Sequence, residues 1–215
     1  MVGAAGRAVS APAGSAVIAM TPEQRAALPR RTAFVFTGRP AVDLAMTGGD
    51  DWLSAFEVLH APADLDRWLA DGALAVAGTR ADADDLRAAR ALRRAVLEAV
   101  DALLGGRLPA AGAIEAIGAA AAVAPLVPRV DPRSGARAWA DPTARAALSD
   151  VARDALDLIG DRQQWERLRI CASDDCGIVF YDASRPGRRR WCSTERCGDR
   201  NRARAYRARK RDGER

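Results

Sequence analysis

The chain has 215 residues, 49% apolar and 28% charged, with a formal net charge of +5, which is enough to bury one good core plus a small accessory domain. No stretch approaches the ~20 apolar residues of a membrane span, and Pro12, Gly14 and Ser15 interrupt any secretion-signal run, so membrane and secreted classes give way to an expected cytoplasmic protein. Residues 185–211 hold twelve Arg or Lys against Glu195 and Asp199, a net +10 that leaves −5 for the rest; a basic tail on a mildly acidic body points to a polyanionic partner.

Residues 1–31 are rich in Ala, Gly, Pro and Ser without a sustained period and read as a disordered N-terminal segment. A mostly helical domain is expected over 32–165. It opens with Ala33-Phe-Val-Phe-Thr, a turn at Gly38-Arg39-Pro40 and a second apolar run from Ala41 to Ala45, a pattern that predicts a hairpin with Asp43 facing solvent or capping a turn. Leu65, Trp68 and Leu69 then share one face of a short helix that starts near Pro62 and stops at Gly72. His60, the only histidine, has no neighbouring ligand type in sequence and reads as a packing or surface residue.

The strongest periodicity runs over 82–104, where Leu86, Ala89, Leu92, Val96, Leu97, Val100, Leu103 and Leu104 follow i, i+3, i+4 spacing. Acids crowd its first turn and Gly105-Gly106 ends it, as expected for the core helix. An Ala-rich helix over 110–123 follows, then a hairpin from 126–130 and 136–139 around a turn-rich loop. After Asp141-Pro142 a further helix is expected, with Leu148, Val151, Ala152, Ala155, Leu156 and Ile159 on one side and Gly160 as its stop. Phosphate-binding, dinucleotide-binding and nucleophile-elbow motifs are absent from this sequence, and the Asp50-Asp51 and Asp84-Asp85 pairs read as solvated or dipole-paired acids, so no enzyme is expected.

All four cysteines lie in the last module, 166–215. Cys171 and Cys176 form one pair, Cys192 and Cys197 the other, with four residues inside each pair and fifteen between the pairs. Thiolates suit a tetrahedral structural zinc, and two local pairs bring four of them together with modest loop closure. Disulfides or buried free cysteines are the other readings, and a reducing compartment argues for metal. Gly177 permits a tight return, residues 178–181 read as a strand, Ser184-Arg-Pro-Gly as a turn and residues 188–191 as the returning strand. Ser193 then N-caps a helix that holds Cys197. The order is that of a treble-clef-like finger; the whole chain is thus α+β, mostly helical with short β-hairpins, followed by that finger.

The run R-I-C-A-S-D-D-C-G-I-V-F-Y-D-A-S-R-P-G-R-R-R-W-C-S-T-E-R-C-G-D-R resembles the CGNR zinc-finger family, whose members join an N-terminal ABATE domain to a C-terminal finger. The segment F-x-F-T-G-R-P-A-V-D-L-A-M-T, the pairs Asp64-Leu65 and Trp68-Leu69, and the Leu92-Arg93 helix are similar to the ABATE pattern in the same order. The resemblance implies a stress-responsive transcription regulator with one structural Zn2+. Two positions depart from the pattern: Asp199 stands for Asn in the Cys-Gly-Asn-Arg motif, and Met46 stands where Asn precedes Thr47.

Beyond Cys197 the helix is basic on nearly every side. Arg188, Arg189, Arg190, Arg200, Arg202, Arg204, Arg207, Arg209, Lys210 and Arg211 are the expected nucleic-acid contacts, since Arg pairs bidentately with phosphates and guanine edges. DNA is the expected partner, with an RNA-binding or protein-interaction module on a structural zinc as the alternative. A small-molecule effector and a homodimer remain compatible with the helical domain.

Overall fold

The computed structural model describes Leu28 and residues 33–213; Leu28 is buried, and the expectation of disorder over 1–31 otherwise lies outside the described residues. The first helix, α1 (Pro40–Ala45), corrects the expected hairpin. Pro40 sits at its first turn, where a fixed φ preorganises helix and the missing N–H costs nothing. Gly38, at φ +102, turns the chain into it. Alternation and helical periodicity look alike over six residues, and here Ala41, Val42, Leu44 and Ala45 are all buried because the helix is enclosed on every side. Asp43 is likewise buried, not solvent-facing; its Oδ1 accepts from the Thr37 backbone N–H and, at 2.6 Å, from the Thr37 hydroxyl.

A 3-10 turn (Asp51–Phe56) leads to α2 (Pro62–Asp71), which buries Leu65, Trp68 and Leu69, while Asp64 caps its start by accepting from the His60 and Ala61 N–H groups at 2.8 Å. His60 is exposed. The long α3 (Ala83–Leu104) begins with a reciprocal capping box in which Asp82 accepts from the Asp84 and Asp85 amides and Asp85 returns to the Asp82 amide. Of its expected apolar stripe Leu86, Ala89, Leu92, Val96, Val100 and Leu103 are buried and Leu97 and Leu104 half-buried, and Arg93 on the neighbouring face is buried too, paired with Glu57. Next come α4 (Ala111–Ala121) and the antiparallel hairpin β1 (Val127–Val130) with β2 (Arg137–Ala140). Thr143 N-caps α5 (Ala144–Gly160), a single turn α6 (Arg162–Trp165) follows, α3 and α5 pack against the buried α1, and α4 packs on both α3 and α5.

The finger is joined to this core directly. Its hairpin, β3 (Leu168–Ile170) with β4 (Val179–Tyr181), buries Leu168, Val179 and Phe180 in the same apolar cluster as α1 and α3. Met46 receives the Val179 N–H on its sulfur at 3.3 Å. Arg39, ahead of α1, ion-pairs with Asp154 at 3.0 Å and lies over the Tyr181 ring at 5.1 Å. The pairing corrects the expected returning strand: β4 pairs with residues 168–170, and residues 188–190 carry no strand. Among the described residues no helix is long and apolar enough to cross a membrane.

Burial pushes the Asp43 carboxyl up to about 6, against the lowering effect of its Thr37 hydrogen bonds. In the unfolded chain it ionises near its ordinary value of 3.8, so between about 4 and 6 the folded state holds the extra proton. Its contribution to stability therefore falls as pH rises through that window and is flat above it, by roughly 3 kcal/mol for a difference of about two pH units. Melting curves from pH 4 to 7 should show wild type losing stability relative to Asp43→Asn. Parallel curves would refute this.

Candidate metal centre

The metal centre is assembled by backbone turns. Gly177, at φ +63, folds the first knuckle back so that the Cys171 N–H reaches the Ile178 carbonyl at 2.8 Å, and the Cys176 N–H reaches Ser173 O at 3.1 Å. Asp182 is fully buried and organises residues 182–189: it accepts from the Ser184 N–H at 3.0 Å, the Ser184 hydroxyl at 2.6 Å and the Arg189 N–H at 2.8 Å. A single bond from the Ala172 N–H to Arg190 O, 2.8 Å, then lays the second cysteine pair beside the first. Ser193 caps the following π-helical turn (Thr194–Gly198) by accepting from the Arg196 N–H at 3.2 Å, which turns Cys197 inward.

The four sulfurs all lie within 4.8 Å of one another. Cys176 and Cys192 are 3.6 Å apart at sulfur, Cys192 and Cys197 3.7 Å. A disulfide needs ~2.05 Å. A tetrahedron of thiolates with ~2.3 Å zinc–sulfur bonds has edges of about 3.8 Å. The spacing is therefore that of a ZnS4 site, and all four cysteines are free thiols.

The donor set fits a dication on electrostatic grounds too. Hydrogen bonds from Cys176 and Cys192 hold the Cys171 thiol far below its usual range, while the same proximity to Cys171 pushes Cys176 and Cys192 up. Neighbouring thiolates cannot all ionise without a cation between them, and zinc supplies that charge. Supporting donors already face the sulfurs: the Cys192 N–H lies 3.5 Å from Cys171 Sγ, Arg200 Nη2 3.4 Å from Cys197 Sγ and Arg196 Nη2 3.8 Å from Cys192 Sγ.

Residues 38–162, more than half the chain, match the family model ABATE, described as "Putative stress-induced transcription regulator". The chain belongs to the ABATE family. Residues 167–210 match the CGNR zinc finger, so the cysteine cluster of this ABATE protein is the site of one structural zinc. No curated protein matches the chain.

The basic residues of the ABATE protein's finger divide into two groups. Arg189 is half-buried, donating to Cys192 O at 2.8 Å and lying over the Phe180 ring at 5.1 Å. In the last helix, α7 (Asp199–Gly213), Arg200 lies 3.4 Å and Arg204 2.7 Å from Asp175, and Arg202 pairs with Asp199. Arg188, Arg207, Arg209 and Arg211 are exposed with no ion pair among the described side chains, and Arg190 lies over Trp191 at 5.3 Å. Lys210 is also exposed.

Three residues that position α7 were not singled out in the sequence. Ser173 donates to Asp175 at 2.7 Å, and Asn201 donates both to the Ser173 hydroxyl and to Cys197 O at 2.8 Å. Hydrogen bonds from Arg204 and Ser173 hold the Asp175 carboxyl below its usual range, so it stays ionised and clamps α7 to the first knuckle. Only their position between and just after the cysteines marks them in the sequence. Asp199 is exposed and faces Arg202, and the amide donor beside the knuckle is Asn201.

Proposed function

We propose that this ABATE protein is a DNA-binding transcription regulator, in which the finger contacts the duplex and the helical domain receives the regulatory signal. The observation that carries this is α7: a helix anchored at one end to the cysteine cluster, whose far half exposes Arg207, Arg209, Lys210 and Arg211. A solvated helix with a large excess of positive charge gains little from its own fold, and a phosphate backbone neutralises it. Arg188 and Arg190 extend the same basic surface in sequence before the second cysteine pair. Arg189, Arg200, Arg202 and Arg204 act indirectly, by shaping the finger, because their guanidinium groups are engaged within it.

Each phosphate neutralised lowers the slope of log affinity against log salt by about 0.9, so replacing Arg207, Arg209 and Arg211 together by Gln should make the slope shallower by about 2.7 and weaken binding on the order of 100-fold near 0.15 M salt. Fluorescence anisotropy with a duplex across 0.05–0.3 M salt reads both. Tighter binding of structured RNA than of duplex at matched salt would move the reading to an RNA-binding module. Absence of duplex binding at low salt would end it.

A further inference from the structure

Helix α7 has two unlike sides. Arg200 and Arg204 reach Asp175, and Asn201 reaches the Ser173 hydroxyl, so the side carrying these three residues is turned to the first cysteine knuckle. At about 100° per residue, the direction opposite their mean falls beside Tyr206, with Arg202 one turn before it and Arg209 one turn after on the same stripe. All three residues are exposed.

Tyr206 is the one aromatic residue of the helix and is 63% exposed. Its hydroxyl has no hydrogen-bond partner among the described residues. A phenol ring left in water adds little to the fold, because burial is what an aromatic side chain contributes. Arg202 is held by Asp199, so the ring and the Arg209 guanidinium are the groups on this stripe open to a partner.

The surroundings of the ring fit the floor of a duplex groove. Ala203 and Ala205 border the stripe, and side chains that small let the backbone approach closely. Around the helix axis Arg209 stands about 60° to one side of Tyr206 and Arg207 about 100° to the other. Arg207 also lines, with Arg204, Lys210 and Arg211, an open trough along the helix. A helix in the major groove, roughly 12 Å wide, meets base edges in the middle and phosphates at both walls. The order of cation, ring and cation around α7 matches that arrangement. Single strands are held by successive aromatic platforms in a concave groove, whereas α7 is a convex rod with one ring.

We infer that Tyr206 is the base-reading residue of the finger and that it reads thymine in duplex DNA. This deepens the DNA-binding reading above and rests on it. The major groove offers an apolar ring one apolar base substituent, the thymine 5-methyl group, while the other base edges present hydrogen-bonding atoms. Contact between the two removes both from water. Arg207, Arg209 and Arg211 then supply affinity through phosphates, which carry no sequence information, and the ring supplies the selection.

The test uses the zinc-loaded full chain and a pool of duplexes with a randomised centre, sequenced after the bound fraction is separated. Wild type should enrich thymine at one or more positions. Tyr206→Phe should keep that enrichment, and Tyr206→Ala should lose it while the salt dependence of binding to the pool stays that of wild type. In the best duplex from the wild-type pool, deoxyuridine in place of the enriched thymine removes only the methyl group. It should weaken wild type roughly fourfold and leave Tyr206→Ala unchanged. Both variants should bind one zinc per chain by mass spectrometry, because Tyr206 is exposed and has no hydrogen bond to lose. Identical enrichment for wild type and Tyr206→Ala, including none in either, overturns the inference with DNA binding intact. A uniform loss of affinity across all sequences in Tyr206→Ala places the ring on the sugar-phosphate backbone and overturns it too. So does a larger effect of Tyr206→Ala on a single-stranded pool of the same composition. Failure to bind any duplex at low salt removes the DNA-binding reading itself, and this inference with it.

Discussion

Stripping zinc from the full-length protein will release the cysteine knuckles and melt α7 while leaving the β3–β4 hairpin folded on the helical domain. The sequence alone predicts that the entire module unfolds, because few apolar residues lie between the cysteines. The structure divides that outcome. Leu168 is 4% exposed, and Val179 and Phe180 are fully buried in the core shared with α1 and α3, so the hairpin has apolar burial that metal loss does not touch. No such support exists for α7: Tyr206 is 63% exposed, and its inward contacts are the bonds of Asn201, Arg200 and Arg204 to the first knuckle.

Exposed ion pairs are worth about 0–1 kcal/mol each, too little to hold fifteen residues in place once the knuckle opens. Structural zinc contributes on the order of 10–16 kcal/mol of apparent binding energy, which dominates the local balance. Hydrogen exchange with and without chelator should show residues 199–213 losing protection and residues 168–170 and 179–181 keeping it. Cys197→Ser should reproduce the pattern with less than one zinc bound per chain by mass spectrometry. Protection of α7 unchanged by chelator would contradict the account.

Arg93→Ala will cost about 3–5 kcal/mol of folding stability, the largest effect expected from a single substitution outside the finger. Arg93 is 3% exposed on the core helix, where its guanidinium grips Glu57 bidentately at 2.8 and 2.6 Å and also donates to Thr47 Oγ1 at 3.2 Å. Burial pushes the Glu57 carboxyl up, but Arg93 and the Leu59 N–H outweigh it and hold the group below its usual range. Removing the cation leaves a buried carboxylate uncompensated, and that penalty dominates the lost hydrogen bonds. Arg93→Met with Glu57→Leu should recover part of the loss, because no charge then remains buried. Recovery is incomplete because the Val58 and Leu59 amides, 3.2 and 2.9 Å from Glu57, lose their acceptor. Urea titration measures all three; a loss below ~1 kcal/mol for Arg93→Ala would refute the argument.

Long or locally encoded features were legible in the residues. The stripe from Leu86 to Leu104 repeats over six turns, so its period is unambiguous, and Asp82 with Asp85 announces its start. Four cysteines in two local pairs admit few arrangements, and their spacing led directly to the cluster observed. Ser193, Gly177 and the Asp131 loop act through bonds to residues two to seven positions away, which is why sequence reasoning placed them.

Segments whose state depends on distant partners were not legible. Residues 40–45 have apolar side chains in either conformation, and only enclosure by α3, α5 and β4 selects the helix. Asp43 looked like a surface carboxylate because its partner Thr37 and its neighbour Trp68 converge only in the fold. The strand partner of residues 179–181 lies before the first cysteine, and nothing local distinguishes it from residues 188–191. The division of the arginines was equally hidden, since Asp175 reaches Arg204 across 29 positions of sequence.

The sequence by itself thus determined the helical body, the four-thiol metal site and the sign of the tail's charge, because periodicity, capping and ligand spacing are short-range properties of the chain. Tertiary structure alone decided which arginines face outward, which strand completes the finger and that Asp43 is buried. Those outcomes depend on desolvation and on pairings between residues far apart in the chain, and both arise only once the core has closed.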